Sequence, residues 1–288
     1  MNDTWHGGAA AVVALTFDVD AETPILAQGG RYARHASTMS HQSYGPDVGL
    51  PRILDLLDEM RVPATFFVPG WVAERRPGLA ASIAERGHEV AHHSYAHRPP
   101  TSMTPQEERA DFERALEVFQ AQGVEITGHR AALWEATWLT TELVAEYGLR
   151  YDSSLMGDDR PYRVPAAGGE IVELPVHWSL DDWEQYAYLP EPHVGSVIES
   201  PAKVLDLWRA ELDGMRHYRC LFNLCVHPFL SGRPGRARAL RAFIEYAQEC
   251  GDVSFARCRD IAAAAAADPS VPARPHRPPQ VDPAVHPD

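Results

Sequence analysis

The chain has 288 residues, of which 45% are hydrophobic, and its formal net charge is −14. This length supports one large domain or two small ones with a substantial core. The acidic excess argues against nucleic acid or an anionic membrane surface as a partner. The presence of a single lysine, Lys203, nearly excludes Schiff-base chemistry.

The N-terminal stretch MNDTWHGGAAAVVALTF has no basic residue before Arg31, so it lacks the positive region of a secretory signal. No stretch approaches the roughly 20 apolar residues of a membrane span. We therefore expect a cytoplasmic protein. Without export a disulfide framework is not expected, and the four cysteines lack the spacing of a zinc site: Cys220, Cys225, Cys250 and Cys258.

Strand-like and helix-like segments alternate along the chain. The helix that begins at Thr104 has the plainest signal, because Thr-Pro-Gln-Glu forms a capping box with proline at the first helical position. The predicted strands are 12–20, 64–70, 89–94, 125–131, 151–155, 170–178, 220–228 and 253–258. The other predicted helices are 49–60, 79–87, 140–148, 201–217 and 238–251.

This alternation predicts an α/β fold with a parallel sheet, since crossover helices must cover the strands. Seven or eight such units over about 260 residues suit a closed barrel better than an open sheet. We expect the barrel to occupy residues 1–262. The remainder, 263–288, ends in a stretch with seven prolines in 21 residues and is expected to be extended or disordered.

Polar residues recur at the predicted strand ends, which is where a parallel barrel has its active site. Trp134, after the fourth strand, and Asp152, in the fifth, are expected to contact the substrate. The other polar residues at this edge are Asp18, Asp20, His93, His97, His129, Arg130, His177, Asp181, Asp182 and His227.

Asp18 and Asp20 are two residues apart, so both carboxylates point to one face of a strand. One can bind a metal while the other accepts a proton. His93 and His97 project together if their segment turns helically, and with one carboxylate they leave positions open for water and substrate. A solvated strand end and a solvated histidine turn are the alternatives. We expect His88 to face solvent, with His92 behind the ligands.

His227 follows a predicted buried strand in the sequence Cys-Val-His-Pro, where the proline fixes the turn. Histidine is the natural acid near neutral pH, so His227 can protonate a leaving amine. The alternative is a histidine at the edge of the core that bonds to a carbonyl group.

The ordered motifs T-F-D-V-D, G-H-E-V-A-H-H-S-Y-A-H, G-H-R, D-D-W and V-H-P resemble those of the polysaccharide deacetylase family, the nodulation-type carbohydrate esterases. The resemblance runs from about residue 12 to 258, and its most specific part is H-[ST]-x-x-H at 93–97. It implies a distorted (β/α)7 barrel. It also implies that Asp18 is the base, that Asp20, His93 and His97 bind the metal, that Arg130 orients Asp18, that Asp182 tunes His227 as general acid, and that Trp183 walls the pocket.

The motifs depart from the family pattern at three places. The first reads T-F-D-V-D-A-E instead of T-F-D-D-G, the third lacks proline and glycine after its arginine, and Ser179 replaces the first aspartate of the fourth. The combination with D-S-S-L-M-G-D-D-R-P-Y resembles an intracellular branch with peptidoglycan-type deacetylases and allantoinase-like enzymes. The sequence motifs are equally compatible with the reverse assignment, in which Asp20 is the base and Asp18 the metal ligand.

The motifs therefore predict a hydrolase of non-peptide C–N bonds that uses one divalent metal ion, with zinc preferred over cobalt or manganese. The expected substrate is a small N-acyl amino sugar or a related small amide, over which loops 22–48 and 156–169 form a roof. A homo-oligomer is compatible with the sequence. The alternatives are a metal-independent hydrolase of the allantoinase or cyclic-imide type and a non-catalytic ligand-binding barrel.

Overall fold

The structure is a computed structural model that describes residues 4–282, 285 and 286. The predicted ranges 1–262 and 263–288 therefore include a few residues outside the described part, namely 1–3, 283–284 and 287–288. None of the helices in the described part combines the length and the apolarity that crossing a bilayer requires.

Within the described residues, nine strands form one sheet surrounded by helices. The strands are β1 (Ala11–Asp18), β2 (Thr65–Val68), β3 (Glu89–His92), β4 (Gly128–His129), β5 (Tyr151–Asp152), β6 (Tyr162–Ala166), β7 (Gly169–Glu173), β8 (Leu221–Val226) and β9 (Val253–Phe255). The helices are α1 (Thr23–Ala27), α2 (Ala36–Tyr44), α3 (Leu50–Met60), α4 (Gly70–Arg75), α5 (Leu79–Glu85), α6 (Pro105–Ala121), α7 (Trp138–Glu146), α8 (Asp182–Tyr186), α9 (Pro201–Tyr218), α10 (Pro228–Ser231), α11 (Pro234–Glu249) and α12 (Cys258–Ala267).

The strand order is β6-β7-β5-β4-β3-β2-β1-β8, with β9 beside the start of β1. All neighbouring pairs are parallel except β6 with β7, which form an antiparallel pair. In the described part of the chain, no ladder of hydrogen bonds joins β8 back to β6. The predicted distorted barrel is confirmed, with an open seam between these two strands.

Strand β1 lies at the centre of the core and is buried along its whole length. Helices cover one side of the sheet and the barrel interior fills the other, which explains its continuous apolar sequence. Phe17 stacks on Phe66 of β2 with ring centroids 4.8 Å apart. Burial of each such side chain stabilises the fold by about 1.5–3 kcal/mol. The backbone that carries Asp18, the last residue of β1, is therefore held in a well-packed core.

The segment 22–48, which we predicted to be a loop, contains α1 and α2, so this prediction is wrong. A π-helical turn, Gly45–Gly49, then joins α2 to α3. A Cβ atom on Gly49 would lie 2.0 Å from the carbonyl oxygen of Pro228, so this close approach requires glycine. Helix α2 lacks a regular apolar stripe, which is why periodicity did not reveal it.

The packed domain extends beyond the predicted boundary at residue 262. Helix α12 continues to Ala267, and Val271 is buried. The backbone N–H of Arg163 donates to Pro272 at 2.8 Å, and that of Arg274 donates to Arg163 at 2.8 Å, so this part of the tail lies along β6. Low sequence complexity concealed these backbone contacts, which need no particular side chains.

Candidate active site

A cavity of about 260 Å³ opens at the carboxyl ends of the strands. Strand β1 and the turns after β3, β4 and β8 contribute to its wall, together with the segment that leads into α8. The residues that line it are Asp18, Asp20, His93, His97, Leu133, Trp134, Glu135, Trp178, Asp181, Trp183, Glu184 and His227.

Asp18, the last residue of β1, is held by a buried arginine. Nη1 of Arg130 donates to Oδ1 of Asp18 at 2.8 Å and to Oγ1 of Thr16 at 2.9 Å. The rest of the guanidinium donates to the hydroxyl and carbonyl oxygens of Ser153 and to Oδ1 of Asn223. Burial opposes the charge, but Asp18 raises the pKa of Arg130 above its ordinary value. The arrangement fixes one carboxylate oxygen and leaves the other at the cavity.

Asp20 meets both histidines of the H-S-Y-A-H segment. Its Oδ1 lies 3.4 Å from Nε2 of His93, and its Oδ2 lies 3.3 Å from Nε2 of His97. Although burial favours the neutral acid, His97 and His93 hold the pKa of Asp20 well below its usual value. Asp20 is therefore a carboxylate that faces two imidazole nitrogens.

The turn that carries the two histidines is not helical, although a helical turn was the condition under which we expected them to project together. Ser94 has φ +58° and His97 has φ +54°, so both lie in the left-handed region. The carboxylate of Asp111, on α6, accepts hydrogen bonds from the backbone N–H groups of Tyr95 at 2.7 Å and Ala96 at 3.1 Å. Left-handed non-glycine residues cost about 1–3 kcal/mol each and persist only where the surroundings hold them. Sequence patterns did not reveal this role of Asp111, because the contact joins the middle of the next helix to a turn 15 and 16 residues before it.

The donor set of Asp20, His93 and His97 fits a divalent cation. Nδ1 of His93 donates to the carbonyl oxygen of Arg130 at 2.8 Å, which directs its Nε2 towards Asp20. That Nε2 and Oδ1 of Asp20 are buried without hydrogen-bond partners among the described residues. Buried polar atoms are normally paired, and two imidazoles with one carboxylate form a common catalytic zinc set.

Two other groups of candidate ligands surround His227, and both fit a cation less well. Asp18 and Cys225 form one, and Asp181 and Asp182 form the other. In the first, Arg130 already neutralises Asp18. In the second, Nδ1 of His227 donates to Oδ1 of Asp182 at 2.7 Å. In the first group the charge of Asp18 is already balanced by Arg130, and in the second a ligand atom of His227 is already occupied by its hydrogen bond to Asp182.

His227 follows β8 and precedes α10, and Asp182 orients it. Besides the bond to Nδ1, Oδ1 of Asp182 accepts from the backbone N–H of His227 at 2.9 Å, and its Oδ2 accepts from the hydroxyl of Ser231. Burial opposes the charge of His227, but Asp182 and Asp181 raise its pKa to about 10. Nε2 lies 3.5 Å from Asp20, so a protonated imidazole faces the cavity.

Aromatic side chains form the outer wall of the cavity. Trp134 and Trp178 have ring centroids 4.7 Å apart, and Trp183 meets His227 edge-on at 5.3 Å. Leu133 and Trp178 are nearly half exposed and form the rim. Trp183 and Trp134 were predicted to lie here. Trp178 and Leu133 were missed, although a tryptophan at the end of the predicted segment 170–178 was the available signal.

Comparison with known proteins gives a consistent result. The polysaccharide deacetylase family model matches residues 8–151. The crystal structure of a candidate polysaccharide deacetylase from Mycobacterium smegmatis superposes with a TM-score of 0.91 at 46% identity, covering 97% of each chain. The chain belongs to the polysaccharide deacetylase family. This confirms the predicted resemblance and makes the chain a hydrolase of amide C–N bonds.

Two further relatives of this deacetylase-family chain are informative. The peptidoglycan deacetylase of Helicobacter pylori is 29% identical over 282 residues, which cover 87% of the present chain and 94% of the relative. The PuuE allantoinase structure has a TM-score of 0.78 at 23% identity and covers 91% and 92% of the two chains. The second likeness shows the shared fold alone.

Asp152 lies outside the cavity of this deacetylase-family protein, so the predicted substrate contact does not occur. Asp152 is fully buried, and its Oδ1 accepts hydrogen bonds from Nδ1 of His129 at 2.7 Å and from Ser154 at 3.0 Å. Position at a strand end did not distinguish an inward carboxylate from one that faces a neighbouring strand.

Several expectations about the surroundings also need correction. His88 is buried instead of solvent-facing, and its ring centroid lies 5.4 Å from that of Phe66. His92 is buried behind His93, where Nε2 contacts the carbonyl oxygen of Phe112 at 3.1 Å, as expected for a supporting residue. His177 is exposed. No residue of loops 22–48 or 156–169 is among the described residues that line the cavity, so these loops do not form its roof.

Proposed function

We propose that this protein removes the acyl group from a small N-acyl amino sugar, giving a carboxylate and a free amine. One observation carries the proposal. A single cavity contains an arginine-bound aspartate, an aspartate-bound histidine and a buried two-histidine, one-carboxylate set. These are the groups that activate a water molecule and protonate an amine leaving group.

Asp18 acts as the base in this proposal. Its free oxygen takes a proton from the water molecule as the water oxygen bonds to the amide carbon. Arg130 holds the other oxygen at 2.8 Å and keeps the carboxylate from turning away. The aspartate thus accepts a proton in one fixed orientation.

His227 acts as the acid. As the tetrahedral carbon loses its bond to nitrogen, His227 transfers a proton from Nε2 to that nitrogen, and the departing group leaves as a neutral amine. Asp182 bonds to Nδ1 and therefore leaves Nε2 as the atom at the cavity. A histidine held in the charged form at neutral pH suits this role.

Asp20, His93 and His97 would hold one divalent ion, for which we propose zinc, with cobalt or manganese as alternatives. Such an ion, when bound, polarises the amide carbonyl and lowers the pKa of the attacking water. The three residues supply one negative charge, so a divalent ion leaves the set with a net charge of about +1.

The dimensions of the cavity support a small substrate. Its volume of about 260 Å³ lies just below the range of about 300–1,000 Å³ for pockets of drug-sized ligands, which suits a ligand of about one sugar ring. Trp134, Trp178 and Trp183 offer flat apolar faces on which a ring can lie. The names of two relatives, a peptidoglycan deacetylase and a chitooligosaccharide deacetylase, agree with an N-acetylated amino sugar.

The test is a substrate screen with the full chain, supplied in turn with zinc, cobalt and manganese. N-acetylglucosamine, short chitooligosaccharides and allantoin are compared by acetate release, free amine and ring opening. We expect acetate and free amine in equal amounts, and their loss in Asp18→Asn. Ring opening of allantoin without any deacetylation would overturn the proposal. Binding that raises the melting temperature without turnover would identify a non-catalytic barrel.

A further inference from the structure

Asp181 is an acidic residue of the cavity whose only part in the mechanism above is to help raise the pKa of His227. It lies between Leu180 and α8, and its backbone forms an isolated parallel bridge with Cys225 of β8. This bridge lies beside the seam of the barrel and fixes Asp181 next to His227. Its side chain lines the cavity and is 8% exposed.

The two oxygens of Asp181 have different environments. Oδ1 accepts a hydrogen bond from the backbone N–H of Trp183 at 2.8 Å and so caps α8. Oδ2 has no hydrogen-bond partner among the described residues, and no arginine or lysine there forms an ion pair with Asp181. This oxygen is not one of the fully buried atoms that lack a partner, so it is accessible from the cavity and can accept a hydrogen bond from a molecule bound there.

Asp182, the next residue, already makes the hydrogen bonds that orient His227. It is fully buried and engages the imidazole, the backbone of His227 and the hydroxyl of Ser231. Asp181 is farther from the imidazole, at 3.6 Å from Nδ1. Orientation of the acid therefore does not explain why a second carboxyl lies at this wall.

We propose that Asp181 is a specificity-determining residue that accepts a hydrogen bond from a hydroxyl group next to the scissile amide, on the amine side of the substrate. The inference rests on the proposed function and deepens it. Asp181 shares a wall with His227, which meets the departing nitrogen, so its free oxygen faces the groups attached near that nitrogen. In a 2-acylamino sugar these are the hydroxyls on the two neighbouring ring carbons.

The electrostatic setting agrees with this assignment. Burial, opposed by His227 and reinforced by Asp182, raises the pKa of the Asp181 carboxyl to about 7. Near neutral pH such a group both accepts and donates hydrogen bonds, which matches a hydroxyl partner. A simple N-alkyl amide has no hydroxyl to offer and would leave the oxygen unpaired.

The experiment compares Asp181→Ser with wild type on N-acetylglucosamine and on its 3-deoxy and 1,5-anhydro analogues. Serine keeps a hydroxyl oxygen that caps α8 but is too short to present an oxygen to the cavity. Asp181→Asn provides a second variant of unchanged size. Asp206→Asn is the control, because Asp206 is an exposed carboxylate of α9 that does not line the cavity.

We expect wild type to favour N-acetylglucosamine over one of the analogues by about 10- to 150-fold in kcat/KM, the range for a hydrogen bond to a charged group. In Asp181→Ser this ratio should fall to about 1 while activity on that analogue is largely kept. An unchanged ratio in both variants, or an equal loss on all three substrates, would overturn the inference alone. Failure of wild type to deacetylate any of them would overturn the proposed function and this inference together.

Discussion

Nη1 of Arg130 lies 2.8 Å from Oδ1 of Asp18, and this ion pair is almost completely buried. The residues come from β1 and from the end of β4, 112 positions apart in the chain. The aromatic ring of Phe67 lies 4.0 Å from the guanidinium carbon and excludes water from its face. The sheet thus brings two charged residues that are far apart in the chain into one buried ion pair.

The first prediction concerns this unit. Arg130→Lys should lower kcat by about 10²–10⁴, the usual contribution of a positioned base, with little change in KM. Lysine keeps the charge but cannot reproduce the planar set of donors to Asp18, Thr16 and Ser153. Steady-state kinetics, at a temperature where the melting curve shows the variant folded, provide the measurement. Arg150→Lys, at an exposed arginine, is the control. An unchanged kcat would contradict the positioning role.

The second prediction concerns the metal. Chelation should abolish turnover, and zinc, cobalt or manganese should restore it. His97→Ala should lose the bound ion in elemental analysis, whereas His177→Ala, which removes an exposed histidine, should retain it. An ion at 100 times its Kd also adds about 2.7 kcal/mol to the free energy of unfolding. Full activity of a protein verified to be free of metal would instead favour the metal-independent allantoinase-type alternative.

Sequence patterns anticipated the barrel and the gathering of Asp18, Asp20, His93, His97 and His227, because parallel strands bring their carboxyl ends to one edge. The capping box at Thr104 was also recognised, and both of its hydrogen bonds are present. These features depend on local periodicity or on topology.

The remaining features depend on tertiary contacts that leave no local pattern. Helix α2 has no strong apolar stripe, the tail packs through backbone hydrogen bonds, and Asp152 faces His129 because of strand neighbours. Asp181 and Asp182 are adjacent in sequence. Only the structure shows that Asp182 orients His227 and that Asp181 lines the cavity.

The third prediction concerns Asp111, which supports the ligand turn without lining the cavity. Asp111→Ala removes the acceptor of two backbone N–H groups, those of Tyr95 and Ala96, at a cost of about 1–3 kcal/mol for each buried donor left unpaired. The affinity for the metal should fall by about 10- to 100-fold, as for other residues that orient ligands. Titration of the metal-free protein with zinc gives this affinity. Asp206→Ala, at an exposed helical site, should leave it unchanged; equal affinities in the two variants would show that the turn does not need Asp111.

The fourth prediction concerns a buried carboxyl pair behind the site. Burial and the adjacent Asp152 raise the pKa of Glu173 well above its ordinary value, against hydrogen bonds from the backbone N–H groups of Leu155 and Ser154. Three other titratable groups interact with this pair. His129 bonds to Asp152, the pair raises the pKa of Tyr162 of β6 further, and Asp152 opposes the lowering of the pKa of His276 by burial.

The sign of the pH effect follows from proton uptake on folding. Folded Glu173 binds a proton that the unfolded chain has released above about pH 4.5, so its contribution to stability is present below that pH and is lost as the pH rises towards the folded pKa. Glu173→Gln keeps a neutral side chain of the same size, and because glutamine does not ionise, the variant does not lose this stability as the pH rises. The free energy of unfolding, measured in urea from pH 5 to 9, should therefore decline less steeply in Glu173→Gln than in wild type. Glu170→Gln, on the same strand but exposed, should follow the wild-type slope; an equal slope in Glu173→Gln would mean that the carboxyl is already ionised in the folded protein.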